Sequence, residues 1–244
     1  MEADLLQIVP PRGKPLLKDG TRTKLQALYD RVPAVSCECD KLGQCCELTE
    51  EEIVAEFATM YPLYEVEYYN IVDFVGSHFG ADLQEELLSI SNERPEGCPF
   101  LTDSRGCSIH SVRPMACRTY GVLSREEVEK TASEARETVP KSWINSFLYT
   151  ERHTVCANAR LLEPEKSAAH AQSMISFEYE REMIQLGRES GMLKGVRKQV
   201  LQDSSGLVHV TRWTWGGFNA LMRSSTDWLK GHFAEYWKQS ILGE

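Results

Sequence analysis

The sequence predicts a mainly α protein whose helices surround an irregular, cysteine-rich centre with a short hairpin. Three observations carry this prediction. Apolar residues recur at helical spacing over most of the chain, and capping signals open several of those stretches. The cysteine-dense segments between them follow neither the helical nor the strand period.

In chain order, residues 1–20 hold three prolines and two glycines and read as an extended arm. Leu25, Leu28, Tyr29 and Val32 predict a first helix that ends before Pro33. A cysteine-dense loop, 34–48, follows. Thr49-Glu-Glu-Glu52 has the form of a capping box, with Ile53, Val54 and Phe57 as the buried face of its helix and Pro62 as its end. Helical spacing resumes at Ile71, Phe74, Val75 and His78, and again at Leu83, Leu87 and Ile90. His78 is expected as an ordinary helix residue rather than a ligand. From 93 to 123 the helical pattern breaks, and the turn-rich stretch between Cys98 and Cys107 suits a short hairpin. Ser124-Arg-Glu-Glu127 is a second capping box, opening a helix to about Val139. Pro140 starts another, with Trp143, Phe147 and Leu148 inward. Pro164 suits the first turn of one long charged helix reaching Gly191. A helix over Lys194–Gln202, a strand over Leu207–Trp213 and a last helix capped by Thr226 complete the reading. That last helix carries Trp228, Leu229, Phe233 and Trp237 on one stripe, expected to be a core or homodimer face. The organisation expected is an arm and helix over 1–36, a cysteine domain over 37–160 and a helical extension over 161–244.

The 244 residues, 42% hydrophobic, are enough to bury a core without covalent staples. No run of about 18 apolar residues predicts a membrane span. The first residues lack a basic segment followed by an apolar one, so no signal peptide is read and a cytoplasmic location is expected. Disulfides are therefore disfavoured. The formal charge of −9 argues against a non-specific nucleic-acid binder. Residues 191–244 carry seven basic and four acidic residues, so this segment is positive against an acidic remainder. It reads as a solvated surface, or as one that packs on the body or meets a protein partner.

The eight cysteines are grouped. Cys37, Cys39, Cys45 and Cys46 lie within ten residues, Cys98, Cys107 and Cys117 share one block, and Cys156 follows. Zinc and iron–sulfur centres each need thiolates converging on one point. Arg105, Arg113, Arg118 and Arg160 stand beside the cysteines and offset negative charge there, and the helix opened by Thr49 would present its positive end to Cys45 and Cys46. His110 and His153 are expected to support the thiols from behind or to lie at the surface rather than ligate. The sequence holds no ferredoxin-type or radical-type cysteine run, no paired C-x-x-C zinc knuckles, no H-E-x-x-H and no phosphate-binding glycine loop.

Gly43-Gln-Cys45-Cys46, Cys98-Pro-Phe-Leu, Gly106-Cys107-Ser-Ile-His, Arg113-Pro-Met-Ala-Cys117-Arg118-Thr-Tyr and Cys156-Ala-Asn-Ala-Arg160 together resemble the YkgJ-like cysteine-cluster family, also called the CxxCxxCC domain. The resemblance covers roughly 37–160. It departs from the family pattern at its start, where Cys37-x-Cys39 and five residues precede the Cys45-Cys46 pair. The resemblance implies binding of zinc or iron, as an iron–sulfur cluster in some members. One branch includes flagellin lysine N-methylases, but no S-adenosylmethionine site is legible here.

Three functions follow as expectations. The first is a cytosolic protein carrying a cysteine-ligated iron–sulfur cluster, of the 4Fe–4S kind, in redox or accessory enzyme chemistry. The second is a zinc-binding structural or chelating module, and the third a protein-modifying enzyme. The cysteine spread without knuckles favours iron–sulfur over zinc. All eight cysteines are candidate ligands. Cys98, Cys107 and Cys117 form the expected nucleus, with Cys45 or Cys46 as the fourth, and Arg113 and Arg118 are expected to bind the cofactor. A redox or protein partner is expected, with neither nucleic acid nor membrane.

Overall fold

The computed structural model describes residues 6–7, 15–39, 42–47, 64–91, 97–190 and 210–211. The helix opened by Thr49, the helix over 194–202 and the aromatic helix after Thr226 lie outside these residues. The described architecture is mainly α, with two small antiparallel sheets.

Helix α1 spans Asp19–Tyr29 and buries Leu25, Leu28 and Tyr29, three of the four residues that announced it. Helix α2, Glu65–His78, is the central element: Val66, Tyr69, Ile71, Val72 and Val75 are all buried. Each fully buried side chain of this size contributes roughly 1.5–3 kcal/mol. Helix α3 covers Ala81–Leu88. Ile90, expected on that helix, lies instead in strand β3, Ser89–Ser91. There it pairs with Leu6 of β1 (Leu6–Gln7) and Thr211 of β5 (Val210–Thr211), because backbone pairing across the sheet replaces the next helical turn. The extended arm and the late strand thus meet in one sheet of order β1-β3-β5.

A five-residue helix, α4 (Met115–Thr119), follows the cysteine loops. Helix α5, Arg125–Glu134, starts at the predicted capping box: Glu127 N–H donates to Ser124 Oγ at 3.2 Å, and Ser124 N–H donates to the Glu127 carboxylate at 2.8 Å. Helix α6, Lys141–Thr154, begins after Pro140 and buries Phe147. Strand β4 is Ala159–Leu161.

The single long helix expected from Pro164 to Gly191 is corrected. Pro164 opens a 3-10 turn, Pro164–Lys166, followed by α7 (Ser167–Ile175) and a separate α8 (Glu178–Ser190). Phe177 adopts φ 55°, which breaks the helical hydrogen-bond ladder between them. Arg181 donates to the carbonyl oxygens of Ser176 and Phe177, satisfying acceptors freed at the break. The two helices pack on each other, and α8 also packs on α1 and α2. Arg31, just past α1, pairs with Glu178 at 2.9 Å and Glu182 at 2.6 Å and lies over the Tyr179 ring. Asp73 of α2 accepts from the Leu16 and Leu17 N–H groups and from Arg22, fixing the approach to α1. Among the described residues, no helix is long and apolar enough to cross a membrane.

Candidate metal centre

Two pieces of backbone carry seven of the eight cysteines, and helix α4 carries the eighth, Cys117. The first is the turn 42–47 laid against the loop 97–107. Gly43 sits at φ 74°, a left-handed conformation that opens the 3-10 turn Gln44–Cys46. Cys98 N–H donates to the Cys46 carbonyl at 2.7 Å, and Glu47 bridges Gly97. Arg105 locks the two together: its Nε donates to the Leu42 carbonyl at 2.9 Å and its guanidinium grips the Glu47 carboxylate at 2.5 and 2.9 Å. The expected hairpin reduces to a single antiparallel bridge, Leu101 to Cys107, closed by Thr102 N–H on the Gly106 carbonyl. Buried Phe100 and Ile109 anchor this loop in the core.

The second piece is the sheet formed by β2 (Val35–Cys37) and β4, in which Cys37 faces Ala159. Glu38 N–H donates to the Asn158 carbonyl, and Ala159 N–H donates to the Cys156 carbonyl. Cys37, Cys39 and Cys156 therefore gather at one end of this sheet, where the Cys39 and Cys156 thiols are hydrogen-bonded.

None of the eight cysteines forms a disulfide. They form two neighbourhoods that meet at Cys45. Cys46 lies within electrostatic reach of Cys98 and Cys117, and Cys117 within reach of Cys98 and Cys107. Cys37 and Cys39 lie within reach of Cys156, and both also feel Cys45. Cys45 itself is felt by Cys107 and Cys117. Among the described residues, no three His, Cys, Asp or Glu side chains already stand at ligand geometry around one point. The chain gathers the thiols into neighbourhoods that share Cys45 and Arg113.

The electrostatics fit a cationic or metal-containing guest. Burial, and then neighbouring thiols, push the Cys117 thiol well above its ordinary value, although the side chain is reachable by solvent. Burial raises Cys107 and Cys37 for the same reason. Cys45 goes the other way, lowered to about 7. The Cys46 thiol donates to it, its backbone N–H donates to it, and Arg113 stands nearby. Cys46 is correspondingly raised. Thiols packed this closely oppose one another's ionisation, and a bound metal removes that opposition because it takes thiolates as ligands.

Arg113 occupies the middle of the set. It lowers the thiol values of Cys37, Cys45, Cys107 and Cys117, so it stands near both neighbourhoods. Its Nε is buried and has no hydrogen-bond partner among the described residues. An unsatisfied buried donor is costly, and thiolate sulfur or a cluster's sulfide would satisfy it. Its Nη1 contacts His110 Nε2, and burial together with the Arg113 and Arg118 charges lowers that imidazole's pKa. Arg118 is placed differently. It donates to the carbonyls of Arg113 and Ser111, both at 2.8 Å, and lies 3.9 Å over the Tyr29 ring. Among its electrostatic neighbours is Cys117. The side chain of His153 lies outside the described residues.

One participant has no counterpart in the sequence reading. Glu67, on α2, is completely buried. Its Oε1 accepts from Met115 N–H at 2.6 Å and from the Tyr29 hydroxyl at 3.0 Å, and its Oε2 accepts from Tyr64 N–H at 3.2 Å. Met115 opens the helix that carries Cys117. A glutamate within an apolar run, three residues after the Tyr64 cap, was the available signal.

Residues 38–138 match the family model described as "CxxCxxCC: Putative zinc- or iron-chelating domain". No curated protein and no solved structure matches the chain. Cys37 and Cys156, which the fold brings to the other cysteines, lie outside the matched span. The family model matched over residues 38–138 is the one that the chain's cysteine motifs resemble.

Proposed function

We propose that this chain holds an iron–sulfur cluster, of the 4Fe–4S kind, on its cysteines and serves redox or accessory enzyme chemistry in the cytoplasm. The observation that carries this reading is the buried Nε of Arg113, which has no partner among the described residues and stands amid crowded thiols. A cluster brings sulfides as well as thiolates, and so offers acceptors to a donor that four ligating thiolates around one zinc ion leave less well served. Cys98, Cys107 and Cys117 are the proposed nucleus. Cys46 is the fourth ligand, because it shares a neighbourhood with Cys98 and Cys117.

The cluster, when bound, supplies one-electron transfer. The chain's own part is to hold it. The Arg105–Glu47 clamp fixes the Cys46 turn against the Cys98 loop. Phe100 and Ile109 keep that loop seated in the core. The Arg113 charge favours the thiolate forms of the cysteines around it.

The test is elemental analysis and a visible spectrum on protein purified without oxygen. Iron and sulfide near four per chain, with a broad band at about 400 nm, are expected. Colourless protein with stoichiometric zinc would replace this reading by the zinc-chelating module. Cys107→Ser is expected to abolish stoichiometric metal, and a Cys107→Ser protein with full metal content removes Cys107 from the ligand set.

A further inference from the structure

We propose that Glu67, which belongs to no cysteine motif, is the positioning residue for Cys117, and that the centre's grip on its metal runs through the Glu67–Met115 hydrogen bond. This rests on the metal-centre reading above and extends it to a residue 31 positions before the nearest cysteine of the Cys98 block.

Helix α4 has five residues, Met115–Thr119, too few to hold its own orientation. Its placement is imposed at both ends. At the start, Glu67 Oε1 accepts from Met115 N–H at 2.6 Å, two residues before Cys117. At the end, Arg118 donates to the Arg113 and Ser111 carbonyls and stacks 3.9 Å over the Tyr29 ring. The hydroxyl of that tyrosine donates to Glu67 at 3.0 Å. Glu67, α4, Arg118 and Tyr29 thus form a closed circuit, and Cys117 rides on its one helical segment. Through Oε2 the same carboxylate accepts from Tyr64 N–H, the cap of α2, so the circuit is tied to the central helix of the core. Groups that orient metal ligands from behind typically govern affinity by about 10–100-fold.

The experiment compares full-length wild type with Glu67→Ala, Glu67→Gln, Glu67→Asp and a remote destabilising control, Ile175→Ala, a buried α7 position. Cobalt(II) is titrated into metal-free protein and followed by its thiolate charge-transfer absorption. In parallel, alkylation of Cys117 by iodoacetamide is timed by peptide mass against that of Cys39. Glu67→Ala is expected to weaken cobalt binding by about 10–100-fold and to change the Cys117 alkylation rate while Cys39 is unaffected. Glu67→Gln keeps an acceptor oxygen at the same reach and is expected to stay within a few-fold of wild type. Glu67→Asp is shorter and is expected to behave like Glu67→Ala, which keeps the comparison intact if the alanine variant does not fold. Ile175→Ala should unfold earlier yet bind cobalt normally. Unchanged affinity and unchanged Cys117 alkylation in the Glu67 variants would overturn the proposal, as would an equal loss in Ile175→Ala. Failure of wild type to bind cobalt counts instead against the metal-centre reading, and the Cys117 alkylation difference still decides the role of Glu67.

Discussion

Gly121 concentrates, in one residue, how tightly the Cys156 side of the centre is built. Its φ is 74°, and its N–H donates to the Thr154 carbonyl at 2.8 Å. A Cβ there would stand 2.8 Å from the Ala159 Cβ and 3.0 Å from the Cys156 Cβ. Both obstacles are first side-chain atoms fixed to the backbone of the β4 entry, so neither can swing aside. Gly43 has the same φ, but its nearest obstacle is the Leu101 Cδ1, the tip of a flexible side chain. Gly121→Ala should therefore cost stability through both strain and displacement of the Cys156 segment. A left-handed non-glycine residue alone costs about 1–3 kcal/mol. Urea unfolding is expected to show a loss of at least this size for Gly121→Ala. A midpoint equal to wild type would mean that the Cys156 segment is free to move away.

At the scale of elements, the α5 cap is the sharpest case. Ser124 and Glu127 exchange hydrogen bonds with each other's backbone, satisfying two of the N–H groups that a helix start leaves open. Glu127 also accepts from Ser167 Oγ at 2.6 Å, so the same carboxylate ties α5 to α7. Ser124→Ala should cost about 1 kcal/mol in equilibrium unfolding, and a negligible change would show that the Glu127 contacts carry the helix start alone. This element was legible because S-x-x-E encodes its geometry directly. The start of α2 was not: Tyr64 is no usual cap, so the pattern at Ile71–His78 revealed only the second half of the helix. The α7–α8 break was illegible for a related reason. Neither Ser176 nor Phe177 is glycine or proline, and only the contacts of Arg181 and the packing of α8 on α1 reveal why the chain turns. In the site, grouped cysteines announced themselves, as did Arg113. Glu67 did not, because a glutamate on a helix ordinarily faces water, and its burial is decided by the distant Met115 and Tyr29.

At the scale of the whole molecule, three glutamates are buried among the described residues: Glu67, Glu151 and Glu180. Burial raises Glu180 to about 8, Glu151 and Glu67 add to the rise, and its own backbone N–H and Arg181 oppose it. Burial raises Glu67 to about 7 despite its three hydrogen bonds. The unfolded chain ionises these carboxyls near their ordinary value of 4.5. Between that pH and the raised values, the folded state holds protons that the unfolded state has released. Stability from these groups is thus complete below about pH 4.5 and is lost as pH rises through about 7 for Glu67 and about 8 for Glu180. Other groups pull the other way, His170 and Cys45 among them. His170, lowered to about 4 by burial, loses its contribution as pH falls from 6.5. Cys45, lowered to about 7, adds stability as pH rises towards 9. The net slope of the wild type therefore mixes opposing contributions, and the difference from a single variant isolates one. Glu180→Gln removes the titrating proton and keeps the shape. With metal content equal in both proteins, thermal unfolding from pH 6 to 8 should show the wild type losing more of its melting temperature than Glu180→Gln. Parallel curves would mean that Glu180 is ionised inside the fold at neutral pH, held by Arg181 and its backbone N–H against the cost of burial.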